Sequence, residues 1–234
     1  MKRFWDHAKW VEAEGAFTVA LDGKPMRLPG GGVLRVPSRD LAEALAEEWQ
    51  AAGGERGGEM SWEDVPLTRL AGTAAERIAP NPAATAAAIA KYAETDLLCY
   101  RAEDPDLAAR QAAAWDPWLG WAAREVGARL VSTTGIMPIR QDPASLETLH
   151  RAVGALSPMA LSALGVLVPV LSSLVLGLAV HRGALTHEEA QRIALIDELF
   201  QEERWGLDWE AEERRGKVAG DLAVAARLAR LAPA

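Results

Sequence analysis

Near the start of the chain, apolar residues occupy every second position, which is the period of a β-strand buried on one face. This alternation is clearest over residues 17–21, and Asp22-Gly23 follows it as the two-residue signal of a type I′ hairpin. A return strand is predicted over residues 24–28, with Pro25 confining it to a sheet edge or a bulge. The pattern therefore predicts a β-hairpin at the N-terminus.

From residue 38 onward, the spacing of apolar residues changes to three and four, the period of a helix with one buried face. Ser38 is predicted to cap a first helix whose apolar face contains Leu41, Leu45 and Trp49. Four later helices are predicted to start with a capping side chain followed by proline, at Asn81, Asp104, Asp142 and Ser157. Thr186 and Glu189 form a capping box that starts a further helix, with Phe200 on its buried face.

These patterns predict an α+β fold that is mainly α. A small N-terminal lobe, containing the β-hairpin and one helix, is predicted at residues 1–75. A larger C-terminal α-helical bundle is predicted at residues 76–234, and its last helix runs from about residue 208 to residue 231. The chain has no internal repeat and no heptad pattern of the length that a coiled coil requires.

Residues 154–180 contain no charged side chain, and about 20 apolar residues suffice to cross a bilayer. However, Ser157-Pro158 is a helix start inside this run, and Pro169 would break or kink it near its middle. Ser172 and Ser173 follow, so the pattern favours two short helices joined by a break. We therefore expect two buried helices of the bundle, with a membrane-anchored protein as the alternative.

Composition narrows the class of protein. The chain has 234 residues, half of them apolar and a quarter charged, which excludes a mainly disordered protein. Its formal net charge of −8 disfavours a nucleic-acid partner, because phosphate binding needs clustered Lys and Arg. A single cysteine cannot form an internal disulfide, and the first residues lack the apolar segment of a secretory signal. A reducing compartment is therefore expected.

The residue types of common catalytic and metal sites do not occur in the required patterns. The four histidines are scattered, with no pair at the spacing of a helical metal site. No Gly-x-Ser-x-Gly elbow occurs, and Cys99 between Leu98 and Tyr100 is more typical of a small core residue than of a nucleophile. The glycine run at residues 30–32 lacks the ending of a phosphate-binding loop. The sequence therefore predicts no catalytic residue, no metal and no cofactor.

Negative charge is concentrated between residues 188 and 213. This segment holds ten acidic residues against two arginines, a balance of −8 that equals the formal net charge of the chain. Phe200, Trp205 and Trp209 lie among the acids, and an exposed tryptophan costs solubility unless it is packed or bound. Aromatic anchors ringed by charge are typical of protein-recognition surfaces. From the residues alone, a plain solvated helix face is an equal alternative.

Several short motifs occur in order along the chain and together identify a family. The two most specific are the string from Asp96 to Arg101, Asp-Leu-Leu-Cys-Tyr-Arg, and the string from Gln201 to Gly206. Others are Asp22-Gly23-Lys24-Pro25, Glu48-Trp49, Pro66-Leu67-Thr68-Arg69-Leu70-Ala71, Arg110-Gln111, Trp115-Asp116-Pro117 and Ser173-Leu174. Over nearly its whole length, the chain resembles the F-type ATP synthase assembly chaperones that escort the alpha subunit of the catalytic head.

The resemblance implies a protein that binds the newly made alpha subunit, shields its subunit interface and promotes assembly with the beta subunit. It implies a small β-containing lobe, a helical bundle, and neither nucleotide nor metal. The expected partner-binding residues are Glu203, Glu202, Trp205, Asp208 and Glu198, with Glu203 at the glutamate of the family's Gln-x-Glu-x-Trp-Gly motif. The protein is expected to be a monomer and not an enzyme, with no nucleic-acid partner and no membrane insertion.

A bacterial cytoplasmic location is expected, whereas eukaryotic relatives would reside in the mitochondrial matrix. Two questions stay open. Asp96 and Arg101 flank the most specific string, and they either pair with each other or face the client. In addition, carboxylates in a cleft between the lobes would make the protein an enzyme, which requires a buried Asp or Glu in a sizeable pocket without a structural partner.

Overall fold

The computed structural model describes residues 1–206 and 209–232, and the chain divides into two compact units. Unit 1 contains residues 1–82, 157–163 and 227–234, and unit 2 contains residues 83–156 and 164–226. The fold is α+β and mainly α, with a small sheet at the start of the chain, as the sequence predicts. The domain limits 1–75 and 76–234 stay a prediction.

Unit 1 begins with an antiparallel sheet in the order β1-β2-β3, formed by Ala8–Ala13, Ala16–Leu21 and Lys24–Pro25. Both connections are two-residue type I′ turns, because Glu14-Gly15 and Asp22-Gly23 have positive φ at both positions. The predicted hairpin is therefore confirmed. Its return strand ends at Pro25 rather than at residue 28, although the Met26 amide still donates a hydrogen bond to the Val19 carbonyl at 2.8 Å.

The first helix, α1 (Arg39–Ala51), starts at Ser38, whose Oγ accepts a hydrogen bond from the Leu41 amide at 3.1 Å. Its buried face contains the three apolar residues that the spacing predicts, Leu41, Leu45 and Trp49. The rings of Trp49 and Trp5 lie 5.1 Å apart between centroids, and both are buried. This aromatic pair belongs to the core of unit 1.

The next helix, α2 (Pro66–Thr73), is capped by a side chain from α1 and not by its own N-cap residue. The Glu48 carboxylate accepts hydrogen bonds from the amides of Leu67 at 2.7 Å and Thr68 at 2.9 Å. The neighbouring Trp49 Nε1 donates to the Thr68 hydroxyl at 3.0 Å. Two of the family-like motifs therefore join α1 to α2.

The remaining helices are α3 (Pro82–Ala90), α4 (Pro105–Trp121), α5 (Pro143–Gly154), α6 (Pro158–Leu171), α7 (Leu174–His181), α8 (His187–Ala194), α9 (Ile196–Trp205) and α10 (Trp209–Leu231). Short 3₁₀ turns occur at Trp62–Asp64, Lys91–Thr95 and Leu97–Cys99, and π-helical turns at Ala74–Ile78 and Ala122–Val126. Two short strands of unit 2, β4 (Tyr100–Arg101) and β5 (Thr133–Thr134), pair in parallel.

Helix caps predicted from the sequence are present at several starts. The Asp104 carboxylate accepts from two amides at the start of α4, and Asp142 accepts from the Ser145 amide at the start of α5. Ser157 accepts from an amide in the first turn of α6, and Thr186 forms the predicted capping box of α8. Each cap involves residues close together in the chain, so it can be predicted without the rest of the fold.

The uncharged segment forms two buried helices, α6 and α7, as expected. α6 continues through Pro169, and the break comes at Ser172, which has a positive φ of 50°. Ser173 then caps α7, whose residues 174–180 are all buried. Within residues 1–206 and 209–232, no helix combines the length and hydropathy that a membrane span requires.

The helix predicted to run from Thr186 past Phe200 is divided. α8 ends at Ala194, and Leu195 leaves helical geometry with φ −93° and ψ 10° before α9 begins. Phe200 is buried, as its position in the apolar stripe predicts. The division was not predicted, because Leu195 is a good helix former and carries no local stop signal.

Candidate functional site

Four of the five residues predicted to bind a partner lie on α9, namely Glu198, Glu202, Glu203 and Trp205. The fifth, Asp208, lies outside the described residues. The local structure places the four on one short helix that starts after the break at Leu195 and ends at Gly206.

Glu203 forms an exposed ion pair with α4. The Arg110 Nη1 donates to both carboxylate oxygens of Glu203, at 2.9 and 2.7 Å. Both side chains are about half exposed, and surface ion pairs of this kind contribute about 0–1 kcal/mol to stability. The pair therefore orients the Glu203 carboxylate and leaves it accessible to another charged group.

Glu202 and Glu198 share one arginine of α10. Arg215 Nη1 lies 2.7 Å from Glu202 Oε1 and 2.5 Å from Glu198 Oε1. The hydrogen bond to Glu202 is the main reason that the pKa of Arg215 is raised. Arg215 and Glu202 are largely buried, so these contacts mainly join α9 to α10.

Phe200 forms the apolar base of the same surface. The guanidinium of Arg204 lies 4.2 Å from the ring centroid and that of Arg110 lies 5.0 Å away. Arg204 also pairs with Asp104 at 2.9 Å, at the start of α4. Because α4 and α10 bring arginines against the acids of α9, this surface is less negative than the segment 188–213 suggests.

Two tryptophans stand out from this compensated surface. Trp205 ends α9 and Trp209 starts α10, and their exposed fractions are 77% and 75%. Gly206, next to Trp205, has φ 96° and ψ 165°, a conformation that is essentially restricted to glycine. Large aromatic groups that stay exposed in this way are typical of protein-binding surfaces. We call the residues Glu203, Trp205 and Trp209 the tryptophan surface.

Asp96 is fully buried in unit 2 and does not face a client. Its carboxylate accepts from the Ser173 hydroxyl at 2.7 Å and from the amides of Val175 at 3.0 Å and Leu98 at 3.1 Å. Burial raises its pKa to about 6. The carboxylate therefore caps both α7 and the 3₁₀ turn that precedes β4.

Arg101, the other residue left open, is also buried. It donates to the Leu98 carbonyl at 2.7 Å, pairs with Asp116 and lies 5.0 Å from the Trp115 ring centroid. Since its ion-pair partner is Asp116, it does not pair with Asp96. Both residues of the most specific string therefore have structural roles within unit 2.

The buried carboxylates give no support to the enzyme hypothesis. Burial raises the pKa of Glu48, as it does for Asp96, but each carboxylate is used by backbone amides at a helix start. Cys99 is buried, and burial raises the pKa of its thiol to about 12, which suits a core residue. Among the described residues, no cluster of His, Cys, Asp or Glu is arranged to hold a metal ion.

Sequence reasoning missed the arginines that hold the acids of α9. Arg110 and Arg215 are 93 and 13 residues away from the glutamates they bind, so no spacing rule connects them. It also missed Ile136 and Met137, which are 94% and 75% exposed on a loop after β5. The local signals for this loop are Gly135 and Pro138 on either side of these two residues, which mark a turn but not an exposed apolar tip.

Fold and surface together define a helical protein without a recognisable catalytic centre in its described part, and with exposed aromatic groups suited to binding another chain. The sequence model of the family described as ATP12 chaperone protein matches residues 2–123. The chain therefore belongs to the ATP12 chaperone family, which is the family of ATP synthase assembly chaperones that its motifs predict.

Individual relatives agree with this assignment. The crystal structure of Atp12 from Paracoccus denitrificans is 42% identical, covers 99% of this chain and 98% of its own, and has a TM-score of 0.94. A protein from Agrobacterium tumefaciens is 37% identical over 98% of this chain and 85% of its own, with a TM-score of 0.92. The mitochondrial protein atp12 of Schizosaccharomyces pombe is 23% identical over 91% of this chain and 76% of its own length.

Proposed function

We propose that this protein binds the unassembled alpha subunit of the F-type ATP synthase catalytic head, shields its subunit interface and promotes assembly with the beta subunit. The observation that carries the proposal is the exposure of Trp205, at 77%, within the motif that the chain shares with the family. The protein acts as a monomer in the bacterial cytoplasm, without a cofactor and without enzymatic activity.

The chemistry of the tryptophan surface suits this role. An unassembled subunit exposes apolar area that is destined for its neighbour, and such area drives aggregation. Trp205 and Trp209 offer large, rigid apolar groups that lose little conformational entropy on binding. Release then needs only competition by the beta subunit, and no hydrolysis step.

Glu203 adds a charged contact that can be exchanged. Its present partner, Arg110, is half exposed, and exposed ion pairs are weak enough to be replaced by a basic group of the client. Glu202 and Glu198 form ion pairs with the largely buried Arg215, and these pairs mainly hold α9 against α10. We therefore rank Glu203 and Trp205 above the other predicted binding residues.

The direct test is the affinity for purified alpha subunit, measured by calorimetry with the wild-type protein and Trp205→Ala. The variant is expected to bind about tenfold or more weakly, the effect of losing an interface tryptophan. Phe4→Ala is the matched control, since Phe4 is also an exposed aromatic residue but lies in unit 1. Equal affinity of wild type and Trp205→Ala contradicts the proposed surface.

Charge variants separate a binding role of Glu203 from a structural one. Glu203→Lys is expected to weaken binding, whereas Arg110→Gln removes the same ion pair, leaves the carboxylate free and should preserve binding. If both variants lose affinity equally, the ion pair with Arg110 supports the structure of the surface, and Glu203 does not contact the alpha subunit directly. The strongest form of the test reverses the charge of Glu202, Glu203 and Asp208 together. If this variant binds the alpha subunit as well as the wild type does, the proposed binding surface is wrong.

The chaperone activity itself is tested by heating the alpha subunit alone and with this protein at equal molarity while light scattering is recorded. Suppressed scattering is expected for the wild type and reduced suppression for Trp205→Ala. Wild-type protein that leaves aggregation unchanged contradicts the holding role.

A further inference from the structure

The loop at residues 131–141 is closed at its base by a buried side-chain amide. Gln141 Nε2 donates to the Val131 carbonyl at 2.9 Å, and the Val131 amide donates to Gln141 Oε1 at 2.8 Å. The Gln141 side chain thus pairs with both backbone groups of Val131, as a neighbouring strand would do. Compact loops with joined ends of this kind are frequently functional.

A second set of contacts anchors the first half of the loop. β5, at Thr133–Thr134, pairs with β4, and the Gly135 amide donates to the Arg101 carbonyl at 2.9 Å. Arg101 is itself buried, and Gly135 has a positive φ of 85°, a conformation that glycine adopts readily. The base of the loop is therefore ordered before any partner arrives.

The tip of this ordered loop is apolar. Ile136 and Met137 are 94% and 75% exposed, and Val131 at the base is also exposed. Single exposed apolar residues are ordinary. Two adjacent ones on an anchored loop keep apolar surface in contact with water, which is unfavourable unless a partner covers it. Because the loop is already ordered, contact through its tip costs little further conformational entropy.

The charges that flank the base of the loop indicate the chemistry of its partner. Residues 129–141 contain two arginines, Arg129 and Arg140, and no acidic residue. Both are exposed, and neither forms an ion pair within the described part of the chain, unlike Arg110 and Arg215, which pair with glutamates of α9. Acidic side chains also approach the loop: Glu103 lies against Gly135, next to the tip, and Asp142 follows Gln141 and caps α5.

We propose that Ile136 and Met137 form a second contact with the client polypeptide and insert into an apolar pocket bordered by acidic side chains, with Arg129 and Arg140 facing those acids. This inference rests on the proposed function, since the client is the alpha subunit bound through the tryptophan surface. Two apolar side chains add to a contact that already exists and are too small to form a stable interface alone.

Other occupants fit the loop less well. A stable dimer buries about 1,200 Å² or more in total, far beyond the area of a two-residue tip. Even a myristoyl chain gives only marginal membrane binding by itself, so that one isoleucine and one methionine do not anchor a protein to lipid. A client that is already bound through the tryptophan surface does not need a large contact area at the loop.

The test compares the wild-type protein with a double variant, Ile136→Ser with Met137→Ser, in binding to purified alpha subunit. The expected result is an affinity about ten- to a hundredfold lower, with an unchanged melting temperature because both side chains are exposed. Val170→Ser removes an exposed apolar side chain of α6 in unit 2 and should bind like the wild type. Gln141→Ala keeps the tip, releases the base and should weaken binding moderately.

Three outcomes overturn the inference. The first is a double variant that binds the alpha subunit as well as the wild type, which leaves the proposed function intact. The second is sedimentation of the wild type, but not the double variant, with phosphatidylserine vesicles. The third is a dimer in light scattering that the double variant abolishes. A wild type that fails to bind the alpha subunit at all overturns the proposed function, and this inference with it.

Discussion

At the scale of single residues, Asp96 illustrates how a buried carboxylate is used by the fold. Its three hydrogen-bond donors come from the start of α7 and from the turn at Leu98. Among the described residues, no arginine or lysine forms an ion pair with it, and desolvation raises its pKa to about 6. The charge is tolerated because backbone amides at two helix starts replace water.

This raised pKa predicts a pH dependence of stability. The unfolded carboxyl titrates near pH 3.9, so between about pH 4 and pH 6 the folded protein keeps a proton that the unfolded chain releases. The contribution of Asp96 to the free energy of unfolding therefore falls as the pH rises through this window. The stability difference between wild type and Asp96→Asn should shrink by about 2–3 kcal/mol from pH 4 to pH 7. Urea unfolding of both proteins measures it, and a constant or growing difference contradicts the assignment.

Trp49 and Trp209 are a matched pair of tryptophans with opposite environments. Trp49 is buried against Trp5 and donates to Thr68, so Trp49→Ala should lower the free energy of unfolding by about 3–5 kcal/mol. Trp209 is 75% exposed, and Trp209→Ala should change stability by less than about 0.5 kcal/mol. Denaturant unfolding distinguishes the two. A large loss for Trp209→Ala would place its ring in a packed contact.

At the scale of elements, Gly206 ends α9 directly after Trp205 and so influences where the tryptophan surface lies. Gly206 supplies a backbone conformation that other residues avoid, although a side chain there would have open space around it. The substitution Gly206→Ala should therefore cost about 1–3 kcal/mol or move the end of α9, and it should weaken binding to the alpha subunit. Calorimetry of binding and denaturant unfolding report the two effects.

Gly216 provides the control for that experiment. It lies inside α10, has open space around it and is helical, so Gly216→Ala should stabilise the protein by about 0.5–1 kcal/mol. Its binding to the alpha subunit should be unchanged. Equal behaviour of the two alanine variants would mean that the Gly206 conformation is not required.

Helix starts were predictable and helix breaks were less so. Asp104, Asp142, Ser157 and Thr186 cap helices through bonds to residues two or three positions away, which a sequence pattern contains. The break between α6 and α7 was expected, but its position at Ser172 rather than Pro169 depends on packing. The division at Leu195 had no local signal, and the cap of α2 by Glu48 joins residues 19 apart.

At the scale of the whole molecule, charge is divided unevenly between the two units. Unit 2 contains 20 acidic and 13 basic residues, so its net charge of −7 accounts for nearly all of the chain's −8. Arginines compensate the acids of α9, and α10 as a whole carries four acidic and five basic residues. The remaining negative charge is therefore spread over other parts of unit 2 and the acidic first turn of α10. Such a field attracts the basic groups of a client over distances of about 10 Å.

The field predicts salt-dependent association. The association rate with the alpha subunit should fall about tenfold between 50 and 300 mM NaCl, while the dissociation rate changes little. Reversal of Glu212 and Glu213 on α10 to lysine should flatten this dependence. The same reversal at Glu12 and Glu55 of unit 1 changes the net charge by the same amount, but it should change the salt dependence of the association rate less. Stopped-flow measurements decide, and rates independent of salt would contradict electrostatic steering.

The sequence by itself determined the hairpin at Asp22-Gly23, the capped helices, the buried pair α6 and α7, and the family, because each depends on residues close together in the chain. Only the tertiary structure decided which acids are available. It pairs Glu203 with Arg110 and Glu202 with Arg215, and it leaves Trp205 and the Ile136-Met137 tip exposed. Ion pairing and exposure depend on residues that are distant in sequence and adjacent in space, so they follow from packing and not from any local pattern.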